Sequence, residues 1–143
     1  MKRVVFVTNT LVSGIFWTGA PNSAWLAALD QKFILLTSES LIAELKTVIV
    51  RDKFKTRLEA QNETVDDLIA KYSNVAVSVI SATLPAIIKA DPKDDHVLAC
   101  ALGGKAAVIV SGDHHLLDLG AFEKISIITV NAFLEGLTQT DEK

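Results

Sequence analysis

Four side chains that end in oxygen stand at the ends of predicted elements: Asn9, Glu44, Asp94 and Asp113. Carboxylates brought within about 4–6 Å raise one another's pKa unless a cation sits among them. Oxygen donors of this kind suit Mg²⁺ or Mn²⁺. Such an ion activates water and stabilises the charge that builds on a phosphodiester during cleavage. The chain carries no GxGxxG or Walker loop, no Cys/His zinc spacing and no GxSxG elbow. His96, His114 and His115 form no HExxH-like pair and read as surface or supporting groups. Trp17 and Trp25 read as packing anchors, although Trp17 sits in a loop by pattern and is free to stack on a base.

The acids need elements to position them, and the clearest runs from Asp91 to Asp113, DPKDDHVLACALGGKAAVIVSGD. Asp91 is a good N-cap and Pro92 suits the first helical position. The helix stops at Gly103-Gly104. Ala106–Val110 is short, β-branched and apolar, which predicts a buried strand, and Ser111-Gly112-Asp113 turns out at its C-terminal end. At 3.6 residues per turn, Asp94 lies over Val97, Leu98 and Ala101, the face that the helix buries. Two readings follow. Asp94 is an inward acid that needs compensation, or it is an exposed first-turn acid stabilised by the helix dipole by roughly 0.3–1 kcal/mol.

In order, the pattern predicts a strand over Arg3–Val7, which Thr8-Asn9-Thr10 then leaves, and a short helix over Ala24–Leu29. A strand over Phe33–Leu36 follows, then a helix capped by Ser38 with Glu44 bordering its apolar face. Further on come a helix over Thr64–Tyr72 and a strand over Ala76–Ile80. Beyond Asp113 lie a helical turn at His114–Asp118, a last strand at Ile125–Val130 and a helix Ala132–Leu137 capped by Asn131. Alternating helices and strands with helix-length connections predict an α/β fold: a central parallel sheet of about five strands with helices on both faces. The segment RDKFKTR at residues 51–57 reads either as a solvated face or as a phosphate-holding patch of Arg51, Lys53, Lys55 and Arg57.

The 143 residues suit one domain. Half are hydrophobic, and the mean hydropathy of +0.35 exceeds what a soluble monomer needs, which makes a homodimer plausible. The formal charge of −3 leaves nucleic-acid contact to a local patch. No apolar run is long enough for a membrane span, and MKRVVFV lacks the cleavage site of a signal peptide. A lone cysteine, Cys100, fits the cytoplasm and reads as a buried small hydrophobe.

Over nearly its whole length the chain resembles PIN-domain proteins, in particular the branch of toxin components of bacterial toxin–antitoxin pairs. The resemblance is carried by VVFVTNTLVSGI, SESLIAELKTVIVRDKF, DPKDDHVLACAL and AAVIVSGDHHLL, in that order and spacing. It implies a PIN-like domain over residues 1–138, with 139–143 as a frayed tail, and a Mg²⁺- or Mn²⁺-dependent nuclease acting on RNA. It also implies an antitoxin protein as partner. By position, Glu44, Asp94 and Asp113 correspond to the family's catalytic and metal-ligating acids. Thr8, Asn9, Asp91, Asp95 and Ser111 become supporting residues, as does His115, which stands where this branch often has a further acid.

The family's first strand ends in Asp-Thr-Asn, whereas this chain has Val7-Thr8-Asn9. Valine offers no ligand atom, so the implied site lacks a principal oxygen and one negative charge. Two functions are therefore expected to compete: a metal-dependent endoribonuclease of the toxin type, impaired by Val7, and a catalytically silent PIN domain that binds RNA or protein. A receiver-type signalling domain fits poorly, because the first strand lacks the acid pair its metal requires.

Overall fold

Val4 and Val5 are neighbours, and both are fully shut from solvent. An extended segment achieves this only when both faces of its sheet are covered, since successive side chains point to opposite faces. They lie in β1 (Arg3–Phe6). A computed structural model describes residues 1–84 and 92–141. The remaining strands are β2 (Ile34–Thr37), β3 (Val77–Ser78), β4 (Val108–Val110), β5 (Ala121–Phe122) and β6 (Ile125–Ile128). Their order is β3-β2-β1-β4-β6-β5. Val5 stands level with Leu36 on one side and Ile109 on the other. All pairs are parallel except β5 with β6.

The helices are α1 (Thr8–Phe16), α2 (Ala20–Leu29), α3 (Glu39–Ile49), α4 (Asp52–Ala60), α5 (Val65–Val75), α6 (Pro92–Gly103), α7 (His114–Leu119) and α8 (Val130–Asp141). They cover both faces of the sheet, as the alternation predicts. Val4, Phe6, Leu35 and Val110 pack into one core with side chains of α1 to α5 and α8. Val5, Leu36, Ile109 and Ile127 face the other, against Val97, Leu98 and Ala101 of α6 and Leu116 of α7. Among the described residues no helix is long and apolar enough to cross a membrane.

The observed elements depart from the sequence pattern in four places. The pattern predicts about five strands, all parallel, and the sixth is β5. It is joined to β6 by Glu123 and Lys124, both at positive φ (48° and 72°). That is the geometry of a two-residue hairpin turn, built here without the Gly or Asn that would announce it. Thr8-Asn9-Thr10, read as chain leaving the strand, is the first turn of α1. That helix starts at Val7 with no side-chain cap and contains Gly14, so both usual signals are missing. Gly14 is there for proximity: a Cβ would overlap the Pro21 carbonyl of α2, and the Asn22 amide donates to the Gly14 carbonyl at 2.8 Å. The basic segment is itself helical, α4, with Phe54 and Leu58 one turn apart and buried. Thr129 rather than Asn131 caps α8, accepting from the Ala132 N–H at 3.2 Å.

Candidate functional site

From β1 the chain passes to β2 on one side, while β4 pairs on the other. The connections diverge between the C-terminal ends of β1 and β4, and an open α/β sheet forms its crevice at such a point. Val7 leaves β1 there, its N–H still bonded to the Val110 carbonyl at 3.0 Å. Ser111-Gly112-Asp113 leaves β4 beside it. Two cavities open at this edge and share Val7, Asn9 and Asp113 as walls.

The smaller cavity, about 120 Å³, is lined by Val7, Asn9, Glu44, Val48, Arg51, Asp94, Val97 and Asp113. It thus gathers all four oxygen-bearing residues singled out by sequence, from four separate stretches of chain. Glu44 is half-buried on α3, whose start is fixed by the Ser38 hydroxyl accepting from the Leu41 N–H at 3.3 Å. Glu44 and Val48, four residues apart, share one face of α3, while Arg51 lies beyond that helix as the extended N-cap residue of α4. The turn between α3 and α4 brings Arg51 to the cleft as a cation in its wall, a place that a reading of residues 51–57 as one charged run does not reveal. On α6, Asp94 is only 5 % exposed, and Val97, Leu98 and Ala101 beside it are buried. The inward reading of Asp94 holds, and the exposed one is excluded.

Asp113 is held locally. Its N–H donates to the Ser111 hydroxyl at 2.9 Å, and its Oδ1 accepts from the His115 N–H at 3.0 Å, which caps α7. The larger cavity, about 600 Å³, runs on past these residues and is walled also by Thr10, Ser13, Ser111, His114 and Thr129. Sequence reasoning missed Thr10, Ser13, His114 and Thr129. The helical spacing of α1 is the signal that would have brought Thr10 and Ser13 to the edge of the sheet.

Other candidates lie apart. Thr8 is buried beneath the start of α1. Asp95 is half-buried, and neither it nor the exposed His115 lines either cavity. Asp91 lies outside the described residues. Lys53 and Lys55 are exposed on α4, whereas the Arg57 guanidinium lies over the Trp17 ring, 4.6 Å from its centre. Cys100 is fully buried, and burial pushes its thiol up to about 11, with a Ser38 hydrogen bond acting in the other direction. It belongs to the core, not to the chemistry.

The donor chemistry of the cleft fits a hard divalent cation: three carboxylates and an amide, all oxygen. Its spacing fits less well. Among the described residues no three His, Cys, Asp or Glu side chains are grouped closely enough to hold an ion together, and Val7 presents methyl groups to the cavity. An ion here would be held through one or two carboxylates and water, the manner in which Mg²⁺ often binds. A family model described as PIN domain matches residues 3–115. No curated protein matches the sequence.

Proposed function

As this chain belongs to the PIN-domain family, a family of nucleases that bind RNA, we propose that it is an endoribonuclease working in the cleft between β1 and β4. The observation that carries this reading is the convergence of Glu44, Asp94 and Asp113 on one space of about 120 Å³. One or two of Glu44, Asp94 and Asp113 would hold a Mg²⁺ or Mn²⁺ ion directly and the others through water, with Asn9 offering a neutral oxygen. When bound, such an ion supplies positive charge that eases deprotonation of water and offsets charge on the phosphodiester. Arg51, which lines the same cavity, would hold the phosphate by charge-assisted hydrogen bonds. The carboxylates orient and accept a proton from water, and Val7 leaves one wall apolar where the family has an acid.

The resemblance and the apolar surplus extend the proposal to a domain over residues 1–138 that acts in the cytoplasm as a toxin, with an antitoxin partner and as a homodimer. A second reading is favoured by Val7 and by the wide spacing of the acids: a silent PIN domain that binds RNA or protein without cutting. Cleavage of labelled RNA with Mn²⁺ separates the two when the natural chain is compared with Val7→Asp. The variant is expected to cut at least about tenfold faster, roughly 1.4 kcal/mol of barrier. Equal, robust cutting by both would show that the missing carboxylate is not needed. No cutting by either would favour the binding module instead.

A further inference from the structure

Trp17 and Trp25 are both large aromatics of the α1–α2 region, yet they are treated differently. Trp25 is 4 % exposed and stacks on Tyr72, whereas Trp17 is 40 % exposed at the end of α1. Burial does not account for Trp17, but its surroundings hold it firmly. Phe54 of α4 stacks on Phe16 (centroids 5.1 Å apart, 20° between planes) and meets Trp17 edge-on (5.8 Å, 72°). The Arg57 guanidinium lies over the Trp17 ring at 4.6 Å, and its Nη1 donates to the Phe16 carbonyl at 3.0 Å. Lys53 reaches over the Phe54 ring at 5.1 Å, and Lys55 is exposed on the same helix. The result is an indole and guanidinium held at the surface with the Lys53 ammonium beside them, in a chain whose net charge is −3.

We propose that Trp17 and Arg57 form a base-stacking platform that, with Lys53 and Lys55, holds unpaired RNA leading to the acid cleft. The proposal rests on the reading of that cleft as a site for RNA phosphodiesters, and it adds a place outside the cleft where a base is held. Aromatic rings flanked by cations are what sequence-tolerant binding of unpaired strands requires, because every base has a face to stack. Two helices set the register. α1 starts beside Val7 at the cleft and ends at Trp17, a rise of about 15 Å, and α4 starts at Arg51 on the cleft wall and reaches Arg57 after about 9 Å. The platform therefore lies a short stretch of strand away from the acids, with Lys53 one turn before Arg57 on its side of α4 and Lys55 one turn after Arg51 on the other, both exposed for phosphates. A duplex does not fit this use, since its bases are already stacked on one another.

The test is titration of the whole protein with oligouridylate in EDTA, which silences metal-dependent cutting, read by tryptophan fluorescence. Binding is expected to quench Trp17, so the quenching persists in Trp25→Phe and disappears in Trp17→Phe. Trp17→Phe retains a stacking ring and stays within about threefold of natural affinity, while Trp17→Ala weakens binding about tenfold. Phosphate contacts by Arg51, Lys53 and Lys55 give a log–log salt slope near −2, at about −0.7 per phosphate on a single strand, and Lys55→Glu makes the slope shallower. Unquenched Trp17 with binding intact would overturn the platform, as would equal binding of duplex RNA or equal competition by polyglutamate. Binding in EDTA with no cutting in Mn²⁺ by either form would keep the platform and remove the nuclease. Cutting without Trp17 quenching would do the reverse.

Discussion

The acid cleft and the Trp17–Arg57 platform stand at the two ends of α1, and they are assembled in different ways. At the platform the parts lock one another: Phe54 against Phe16 and Trp17, Arg57 across the indole and onto a backbone carbonyl. At the cleft the acids come from α3, α6 and the turn after β4, three elements far apart in sequence whose side chains meet at one cavity. The platform is thus part of the packing, and its loss should destabilise the protein. The cleft collects like charges on a sheet edge, so its loss should leave the protein intact or make it more stable.

The largest effect expected is from Phe54→Ala. Phe54 is 2 % exposed and touches both rings, and truncating a buried Phe costs about 3–5 kcal/mol. Chemical denaturation should show a loss of that size, together with loss of the RNA-dependent quenching of Trp17. A loss under about 1 kcal/mol by the scale of ordinary surface changes would break the comparison, because the platform would then be an ornament on α4. Arg57→Lys should be milder. Lysine keeps the charge but not the planar group that lies over Trp17 while bonding the Phe16 carbonyl. A loss of about 1 kcal/mol is expected, with weaker oligouridylate binding at unchanged net charge. Equal behaviour of lysine and arginine would show that only the charge matters at this end.

The same contrast explains what was legible in the sequence. The central strands were readable because burial on both sides demands unbroken apolar runs, as in Val4-Val5-Phe6 and Val108-Ile109-Val110. Asp94 was half legible: helical periodicity puts it over Val97 and Leu98, but an exposed first-turn acid fitted the sequence as well, and only its burial decides. α1 and α4 were not legible, because α1 lacks a capping side chain and α4 shows only Phe54 and Leu58 among polar residues. With those helices unrecognised, the platform was invisible: Trp17 looked like a loop residue and Arg57 like one more charge. Glu44 was legible only as a residue bordering an apolar face. The place of Arg51 in the same cavity was hidden, since it depends on the turn between α3 and α4, and α4 was not recognised. The hairpin of β5 with β6 could not be foreseen, because tertiary contacts there override the reluctance of Glu123 and Lys124 to take positive φ.

The smallest effect, and the one of opposite sign, belongs to Asp94→Asn. The side chain is 5 % exposed, so asparagine keeps its shape and its packing on Val97 while removing one negative charge from a cavity that also holds Glu44 and Asp113. Arg51 lines the same space, but it is one cation set against three acids. Relief of the remaining repulsion should raise stability by about 1 kcal/mol in metal-free buffer, a melting temperature a few degrees higher. Mn²⁺ should shrink or reverse the difference, because an ion that binds the natural cleft stabilises it by mass action while the variant has lost a ligand charge. A gain in EDTA that survives saturating Mn²⁺ would mean that Asp94 repels its neighbours without holding an ion. A fall in melting temperature would mean that the carboxylate stabilises the first turn of α6 through the helix dipole. In that case the cleft would be locked from within as the platform is, and the contrast between the two ends of α1 would be lost.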